Sequence, residues 1–415
     1  MNTYAFLLGT HPILSLAELF SFLDNHKISY SHYTWLGDIL IIKIKQPPER
    51  VSELQNNLGG IIKIFQIKKE FRGKIFRLEE FLSADRLLKD FFAQKETKIN
   101  FGFSVYADPE PSYAELSWLK NYAYNIKKQL KDKFSIRYVE DTGWTLSSVQ
   151  VERNRLIDTG AEIALIKHRD SYYIGKTLTV QDYKSYSQRD WDKPAPDPKS
   201  GMLPPKLAQM MINLARDKKT INIYDPFCGS GIVLQEALVF GLKIFGSDIS
   251  EDAIEKTLEN LAWFMKLKKI SNFKLDSKIK EGDATRIKWV APNKPETVVV
   301  TEPYLGPPLK LLPFDHQVNA MTEELRNLYI GFFRNLSKNF KSIKNVAIVF
   351  PVIKTRNGLK YLDILDEVKK LGYQINHVLP KSITQKDPGV SYRGGFLYSR
   401  PDQFILREIF LFKKK

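Results

Sequence analysis

Asp225-Pro226-Phe227-Cys228-Gly229-Ser230-Gly231 decides the fold class of this 415-residue chain. It stands between a strand-like run at 220–224 and a helix-like run at 231–240. A glycine-rich turn carries ligand-binding meaning when it ends a strand and opens a helix. Gly229 and Gly231 let the backbone come close to a ligand where a Cβ would block it. The helix start offers amide donors that have no partner within the helix. Asp225 is acidic, which argues against a pyrophosphate and suits a ligand with a cationic ammonium or sulfonium group. A purely structural tight turn is the alternative reading at this point.

Outward from this turn, residues 203–415 read as doubly wound α/β. Helices are expected at 203–216, 231–240, 250–267, 321–340 and 359–371. Strands are expected at 220–224, 242–247, 297–301, 345–350, 374–379 and 404–412. Alternation of helices with strands as β-branched as Thr297-Val298-Val299-Val300-Thr301 implies a mostly parallel, buried sheet. The last two strands suggest an antiparallel edge hairpin.

Ligands bind beyond the carboxyl ends of strands in such a sheet, and acidic residues fall there. Asp248, in Gly246-Ser247-Asp248-Ile249, lies 23 residues after Asp225. It suits the two hydroxyls of a ribose, or the N-cap of the next helix. Asp283, in Glu281-Gly282-Asp283-Ala284-Thr285, suits an adenine amino group or an ordinary surface turn. Thr301-Glu302-Pro303-Tyr304-Leu305-Gly306-Pro307-Pro308 ends the Val-rich strand. An exocyclic amine on a base is a poor nucleophile because its lone pair is delocalised into the ring. A carboxylate and a proline carbonyl accepting its two hydrogens would localise that pair, and proline keeps this edge free of donors. An adjacent aromatic could stack on the base. A stiff proline-rich loop is the alternative.

The first 72 residues alternate as β-α-β-β-α-β, a ferredoxin-like order. Strands are expected at 3–8, 29–35, 38–45 and 61–68, and helices at 15–24 and 49–58. Ser15-Leu16-Ala17-Glu18 matches a capping box for the first helix. Residues from about 75 to 180 repeat a mixed α+β pattern, with helices at 78–92, 114–131 and 147–156. Strands there are expected at 98–106, 136–139, 164–167 and 172–180. Residues 190–201 hold three prolines and little apolar surface, so an extended connector and a domain boundary are expected there.

The net charge of +16 favours a polyanionic partner, nucleic acid ahead of a membrane surface. Residues 1–190 carry 27 basic and 23 acidic residues, and residues 191–415 carry 36 and 24, so the excess lies mainly in the second half. The lone cysteine, Cys228, fits a reducing compartment and a packing role. No run approaches the roughly 18 apolar residues of a membrane span, so a cytoplasmic protein without membrane contact is expected. The six histidines show no metal-ligand spacing, and no metal is expected.

These motifs are similar to those of class I, S-adenosylmethionine-dependent amino-group methyltransferases. More narrowly, the chain resembles the THUMP-domain tRNA guanine-N2 methyltransferases of archaeal and eukaryotic type, which act on position 10 of tRNA. Asp225–Gly231 carries the resemblance together with three other segments. The first is Phe6-Leu7-Leu8-Gly9-Thr10-His11-Pro12-Ile13-Leu14-Ser15-Leu16-Ala17-Glu18-Leu19. The second joins Val180-Gln181-Asp182-Tyr183 to Tyr186-Ser187-Gln188-Arg189-Asp190. The third is Ser200-Gly201-Met202-Leu203-Pro204-Pro205-Lys206-Leu207-Ala208.

The resemblance implies a ferredoxin-like domain over 1–72, a THUMP RNA-binding domain over 73–182, and a linker over 183–202. A Rossmann-like methyltransferase domain would follow over 203–415. It implies S-adenosyl-L-methionine held by Leu203, Asp225, Pro226, Phe227, Cys228, Gly229, Gly231, Asp248, Ile249, Asp283 and Ala284. It implies tRNA as substrate, a small activating protein subunit as in some members, and Glu302, Pro303 and Tyr304 as the catalytic residues. The family motif reads Asp-Pro-Pro-Tyr-Gly, whereas Glu302-Pro303-Tyr304-Leu305-Gly306 stands here, one methylene longer and with the aromatic one position early. Two other readings share the chemistry or the fold: a DNA adenine or cytosine amino methyltransferase, and a catalytically weakened tRNA-binding protein. Arg393 and Arg400, around Gly394-Gly395, are either phosphate contacts or solvated loop charges.

Overall fold

The computed structural model describes residues 1–92, 98–141, 143–197, 202–270, 275, 278–288, 291–380, 383, 389–401 and 403–415. By its contacts the chain forms two units. One holds residues 1–10, 28–56 and 61–183, and the other holds 11–27, 57–60 and 184–415.

The elements up to residue 180 run in the following order. β1 (Asn2–Leu8) is followed by α1 (Pro12–Asn25), which belongs to the second unit, then β2 (Tyr30–Leu36), β3 (Ile39–Ile44), α2 (Pro48–Glu53) and β4 (Ile61–Arg72). Next come α3 (Leu78–Phe81), α4 (Ala84–Phe91), β5 (Lys98–Tyr106), α5 (Tyr113–Leu130) and β6 (Ser135–Tyr138). α6 (Ser148–Arg153), β7 (Ala161–His168) and β8 (Ser171–Val180) close the unit.

The eight strands make one sheet in the order β2-β3-β1-β4-β8-β7-β5-β6. Its first four strands pair antiparallel as a ferredoxin-like β-α-β-β-α-β requires. The sheet then continues without a break, because Arg72 of β4 stands opposite Ser171 of β8. The step from residue 72 to 73 therefore falls inside one continuous sheet and not between separate ones. The buried centre holds a polar cluster. The Glu162 carboxylate accepts from Lys63 Nζ (2.5 Å), Ser104 Oγ (2.5 Å) and Thr177 Oγ1 (2.7 Å). A buried charge is tolerable only when paired and hydrogen-bonded in this way. The helix expected at 78–92 is two helices, because Ser83 turns extended and caps α4 by accepting from the Arg86 amide.

The second unit contains α7 (Tyr183–Trp191), most of which lies in it, then α8 (Pro205–Ala215), β9 (Asn222–Asp225), α9 (Ile232–Val239) and β10 (Lys243–Asp248). α10 (Glu251–Leu267), β11 (Ile279–Glu281), β12 (Thr297–Thr301), α11 (Asp315–Asn339) and β13 (Asn345–Thr355) follow. The chain ends with β14 (Gly358–Tyr361), α12 (Leu365–Lys370), β15 (Tyr373–Ile375), β16 (Phe396–Tyr398) and β17 (Ile405–Lys414). The sheet order is β11-β10-β9-β12-β13-β17-β15, with β14 on β13 and β16 on β17. β11 through β13 run parallel, and β17 enters antiparallel between β13 and β15. This is the doubly wound Rossmann-like sheet the sequence implies, with the two late strands paired antiparallel.

Three readings need correction. Helix α1 starts at Pro12, which suits a first helical position, and not at a Ser15 capping box. The Ser15 hydroxyl donates back to the His11 carbonyl. Glu18 is fully buried and accepts from the amides of Gly59 (2.9 Å) and Gly60 (2.8 Å) and from Asn213 Nδ2 (2.6 Å). The helix expected at 359–371 begins instead as β14, because the turn at Gly358 (φ +117°) folds the chain back onto β13; only Leu365–Lys370 is helical. The linker expected over 183–202 is helical in its first half, as α7; residues 198–201 lie outside the described residues.

Helix α7 is fixed by charge. Arg189 Nε sits 2.7 Å from Glu236 Oε1, with side chains 4 % and 0 % exposed. Gln209 donates to the other Glu236 oxygen at 2.8 Å. Removing one partner of a buried pair leaves an uncompensated charge. Glu236→Ala should cost about 3–5 kcal/mol, measured by urea unfolding, while Arg189→Met with Glu236→Leu recovers most of it. A single variant as stable as the parent would refute this assignment.

Candidate active site

Register brings the acidic residues together. β9 pairs with β10 so that Asp225 faces Gly246, and β10 pairs with β11 so that Asp248 faces Glu281. β12 pairs with β9 so that Val299 faces Tyr224. The carboxyl ends of four neighbouring strands thus carry Asp225, Asp248, Asp283 and Glu302 along one edge. Strand ends of this kind are where open α/β sheets bind ligands.

Asp225 is 2 % exposed. Its Oδ1 accepts from Thr301 Oγ1 at 2.6 Å and from the Phe227 amide at 3.2 Å. Its Oδ2 accepts no hydrogen bond from the described residues. Burial pushes the carboxyl up to about 7 against those two hydrogen bonds, and the charges of Asp248 and Glu302 push the same way.

The following turn needs glycine twice. Gly229 has φ +52° and Gly231 φ +86°, conformations costly for other residues. A Cβ on Gly229 would meet no atom within 4 Å, so the turn faces open space. Thr257 Oγ1 donates to the Gly229 carbonyl at 2.6 Å and holds the turn against α10. Pro226 is buried and Phe227 half-buried, its ring edge-on to Phe332 at 5.6 Å. Cys228 is buried, its amide donates to Ser247, and burial raises its thiol, which is therefore an unreactive packing group.

Asp248 accepts from the Gly229 amide (Oδ2, 3.0 Å) and the Ser250 amide (Oδ1, 3.1 Å). Each oxygen keeps a lone pair for a hydroxyl donor. The N-cap of α10 is Ser250, which accepts from Ala253, and not Asp248. Ile249 is 70 % exposed beside it. Asp283 Oδ1 accepts from the amide and hydroxyl of Thr285, and Oδ2 pairs with Arg286 at 3.0 Å. Ala284 is buried, its carbonyl accepting from Asn335, and Leu203 is buried at 6 % exposure.

Glu302 follows the last residue of β12. Its carboxylate meets Arg407 of β17 through two bonds, Nε to Oε2 at 2.5 Å and Nη2 to Oε1 at 3.0 Å. No donor among the described residues engages the Pro303 carbonyl. Tyr304 is 48 % exposed, and its carbonyl lies 3.3 Å from the Tyr329 hydroxyl. Sequence reasoning missed Thr301, Thr257 and Arg407. Thr301 adjoins Glu302 and was within reach of a motif reading; Arg407 lies 105 residues away and carries no local signal. Arg393 is no phosphate contact. It is 6 % exposed and paired with the buried Glu408, and it donates to the Leu362 carbonyl. Among the described residues no cluster of His, Cys, Asp or Glu is arranged to hold a metal, and no helix is long and apolar enough to cross a membrane.

Residues 194–355 match the family described as UPF0020: RMKL-like, methyltransferase domain. The tRNA (guanine(10)-N2)-dimethyltransferase of Pyrococcus abyssi is 32 % identical over 204 residues, 49 % of this chain and 52 % of that protein. The chain thus spans about half the length of the curated relatives it matches. Among solved structures, TrmN from Thermus thermophilus is similar with a TM-score of 0.54 at 11 % identity, covering all of both chains. SMU.472, solved in complex with SAH, is similar with a TM-score of 0.51 at 13 % identity, covering 100 % of this chain and 99 % of that one. The fold is that of Rossmann-like methyltransferases.

The raised Asp225 carboxyl fixes the sign of a pH effect. Between about pH 4 and 7 it is protonated when folded and ionised when unfolded, so its contribution makes stability fall as pH rises through that window and level off above it. The wild type should lose roughly 3–4 kcal/mol relative to Asp225→Asn between pH 4 and pH 8, in urea unfolding of ligand-free protein. Parallel stability curves would refute a buried, proton-holding Asp225.

Proposed function

We propose that the chain transfers a methyl group from S-adenosyl-L-methionine to the exocyclic N2 amine of a guanosine in tRNA, of the position-10 type. The observation that carries this reading is Glu302-Pro303, an ionisable acceptor and a carbonyl that no donor among the described residues engages, side by side at the end of β12, next to the buried Asp225. The sequence likeness to tRNA (guanine(10)-N2)-dimethyltransferases supports the substrate, and the SAH complex of a structure with this fold supports the cofactor.

The site fits the cofactor on its own geometry. The open turn at Gly229 admits its methionine moiety closely, and the unpaired Oδ2 of Asp225 suits a cation. Asp248 would hold the ribose, Ile249 and Asp283 the adenine, and Leu203, Pro226, Phe227, Cys228, Gly231 and Ala284 shape the pocket. Bound there, the cofactor would supply a sulfonium methyl group: the amine lone pair would form the N–C bond, the C–S pair would stay on sulfur, and the surplus amine proton would pass to solvent. Glu302 and the Pro303 carbonyl accept the amine hydrogens and turn its lone pair toward the methyl. Tyr304 stacks on the base. A base in a paired arm must first leave the stack, at roughly a few kcal/mol. Residues 73–182 would serve as a THUMP module that grips tRNA, preceded by a ferredoxin-like module over 1–72, and the basic excess of residues 191–415 would favour the same polyanion.

Incubation with labelled S-adenosylmethionine and tRNA, followed by digestion to nucleosides, should place label in N2-methylguanosine, and a parallel DNA sample should stay unlabelled. Glu302→Gln should lower kcat about 100-fold. Label in DNA alone would favour an adenine or cytosine methyltransferase, and tRNA binding without turnover would favour a binding protein.

Facing a cation, Asp225 is ionised, so cofactor binding below pH 7 expels its proton. Affinity should climb about tenfold per pH unit toward pH 7 and then flatten, and Asp225→Asn should abolish the slope. Calorimetry in two buffers of different ionisation enthalpy reads the proton directly. Absence of proton release at pH 6 would remove Asp225 from the cationic subsite.

A further inference from the structure

The carboxylate assigned to the acceptor amine is not held by its own strand. Glutamate has three side-chain torsions, and in this chain its charge lies close enough to the buried Asp225 carboxyl to act on it. Left alone, it would sample several rotamers and swing toward water. Arg407 prevents this. It projects from β17, opposite Pro351 of β13, and its guanidinium spans to Glu302 with both bonds of a fork, 2.5 Å and 3.0 Å. Its side chain is 3 % exposed, against 13 % for Glu302. A planar fork fixes both the position and the plane of a carboxylate, which a lysine ammonium cannot do. Each carboxylate oxygen has two lone pairs, so one on each remains for an amine hydrogen.

The strand itself is anchored on its other face. Side chains alternate along β17, so Glu408 points away from Arg407, and its carboxylate is held by Arg393 and Ser391. The glutamate at position 302 reaches one methylene further than an aspartate would, and the arginine two strands away is where that reach ends.

We propose that Arg407 is a positioning residue for methyl transfer, setting the orientation of the Glu302 carboxylate against the acceptor amine. This rests on the methyl-transfer reading above. Transfer requires near-attack geometry, in which a misplacement of about 1 Å can cost 100-fold.

The test uses the full chain and four proteins: wild type, Arg407→Lys, Glu302→Gln and the double variant. Arg407→Lys should lower kcat at least 30-fold, with KM for tRNA and the cofactor dissociation constant within threefold of wild type. In the Glu302→Gln background the same change should alter kcat less than threefold, because the residue acts through Glu302. Wild-type kcat in Arg407→Lys, or losses that multiply in the double variant, would overturn the proposal. If Arg407→Lys fails to bind cofactor, Arg407→Gln replaces it under the same criteria, and failure of both to bind assigns Arg407 to folding and overturns the proposal. A wild type inactive on tRNA overturns the methyl-transfer reading and this inference with it, whereas an active wild type with an indifferent Arg407 overturns this inference alone.

Discussion

Parallel pairing of β9 with its two neighbours is the constraint from which the rest follows. A parallel ladder fixes the register of β10 and β12 against Asp225, and with it the level at which each strand stops. Three carboxylates from residues scattered over 78 positions of sequence are thereby gathered at one edge. Gathering them is unfavourable in itself, since like charges in a buried setting repel and resist desolvation. The fold answers each differently. Asp225 is held by a hydroxyl and an amide, Asp248 by two amides, and Glu302 by a guanidinium. Among the described residues no cation pairs with Asp225, which suits a cationic ligand there.

The same logic recurs behind the site. Helices α8 and α9 are buried on nearly every face, yet they carry Gln209, Asn213, Gln235 and Glu236. Such residues are tolerated because Arg189, Tyr186 and Glu18 meet three of them with ionic or hydrogen-bonding groups. Buried polar groups of this kind set which helix faces which, since each has a restricted set of partners. The motif around Tyr186 and Arg189 thus has a physical role: it fastens α7 to the helix that follows the glycine turn.

Much of this was legible in the sequence, for reasons that differ between elements. β12 is five consecutive β-branched residues, and both its ends are legible because nothing else competes for that pattern. The glycine turn was legible because its meaning is local: strand, two glycines, helix. Glu18 was misread because a capping box is also a local pattern, and Pro12 upstream overrides it. The residues after Gly358 were read as helix because their apolar spacing fits one, while the hairpin that claims them depends on β13 as a partner. Arg407 was invisible for a stronger reason. Its significance exists only in register, where β17 lies two strands from β12 and no spacing rule links positions 302 and 407.

Helix α1 carries one more consequence. It lies within the first 25 residues, yet its buried Glu18 is satisfied by Gly59, Gly60 and Asn213. The second unit is thus discontinuous along the chain. During synthesis Asn213 follows the end of this helix by nearly 190 residues. A polypeptide starting after the proline-rich stretch would carry every residue of the carboxylate edge and still lack a structural member. Excision at that stretch would therefore yield a fragment with an exposed flank along α8, prone to aggregation. The carboxylate edge thus belongs to a unit whose first helix is encoded before most of the other unit.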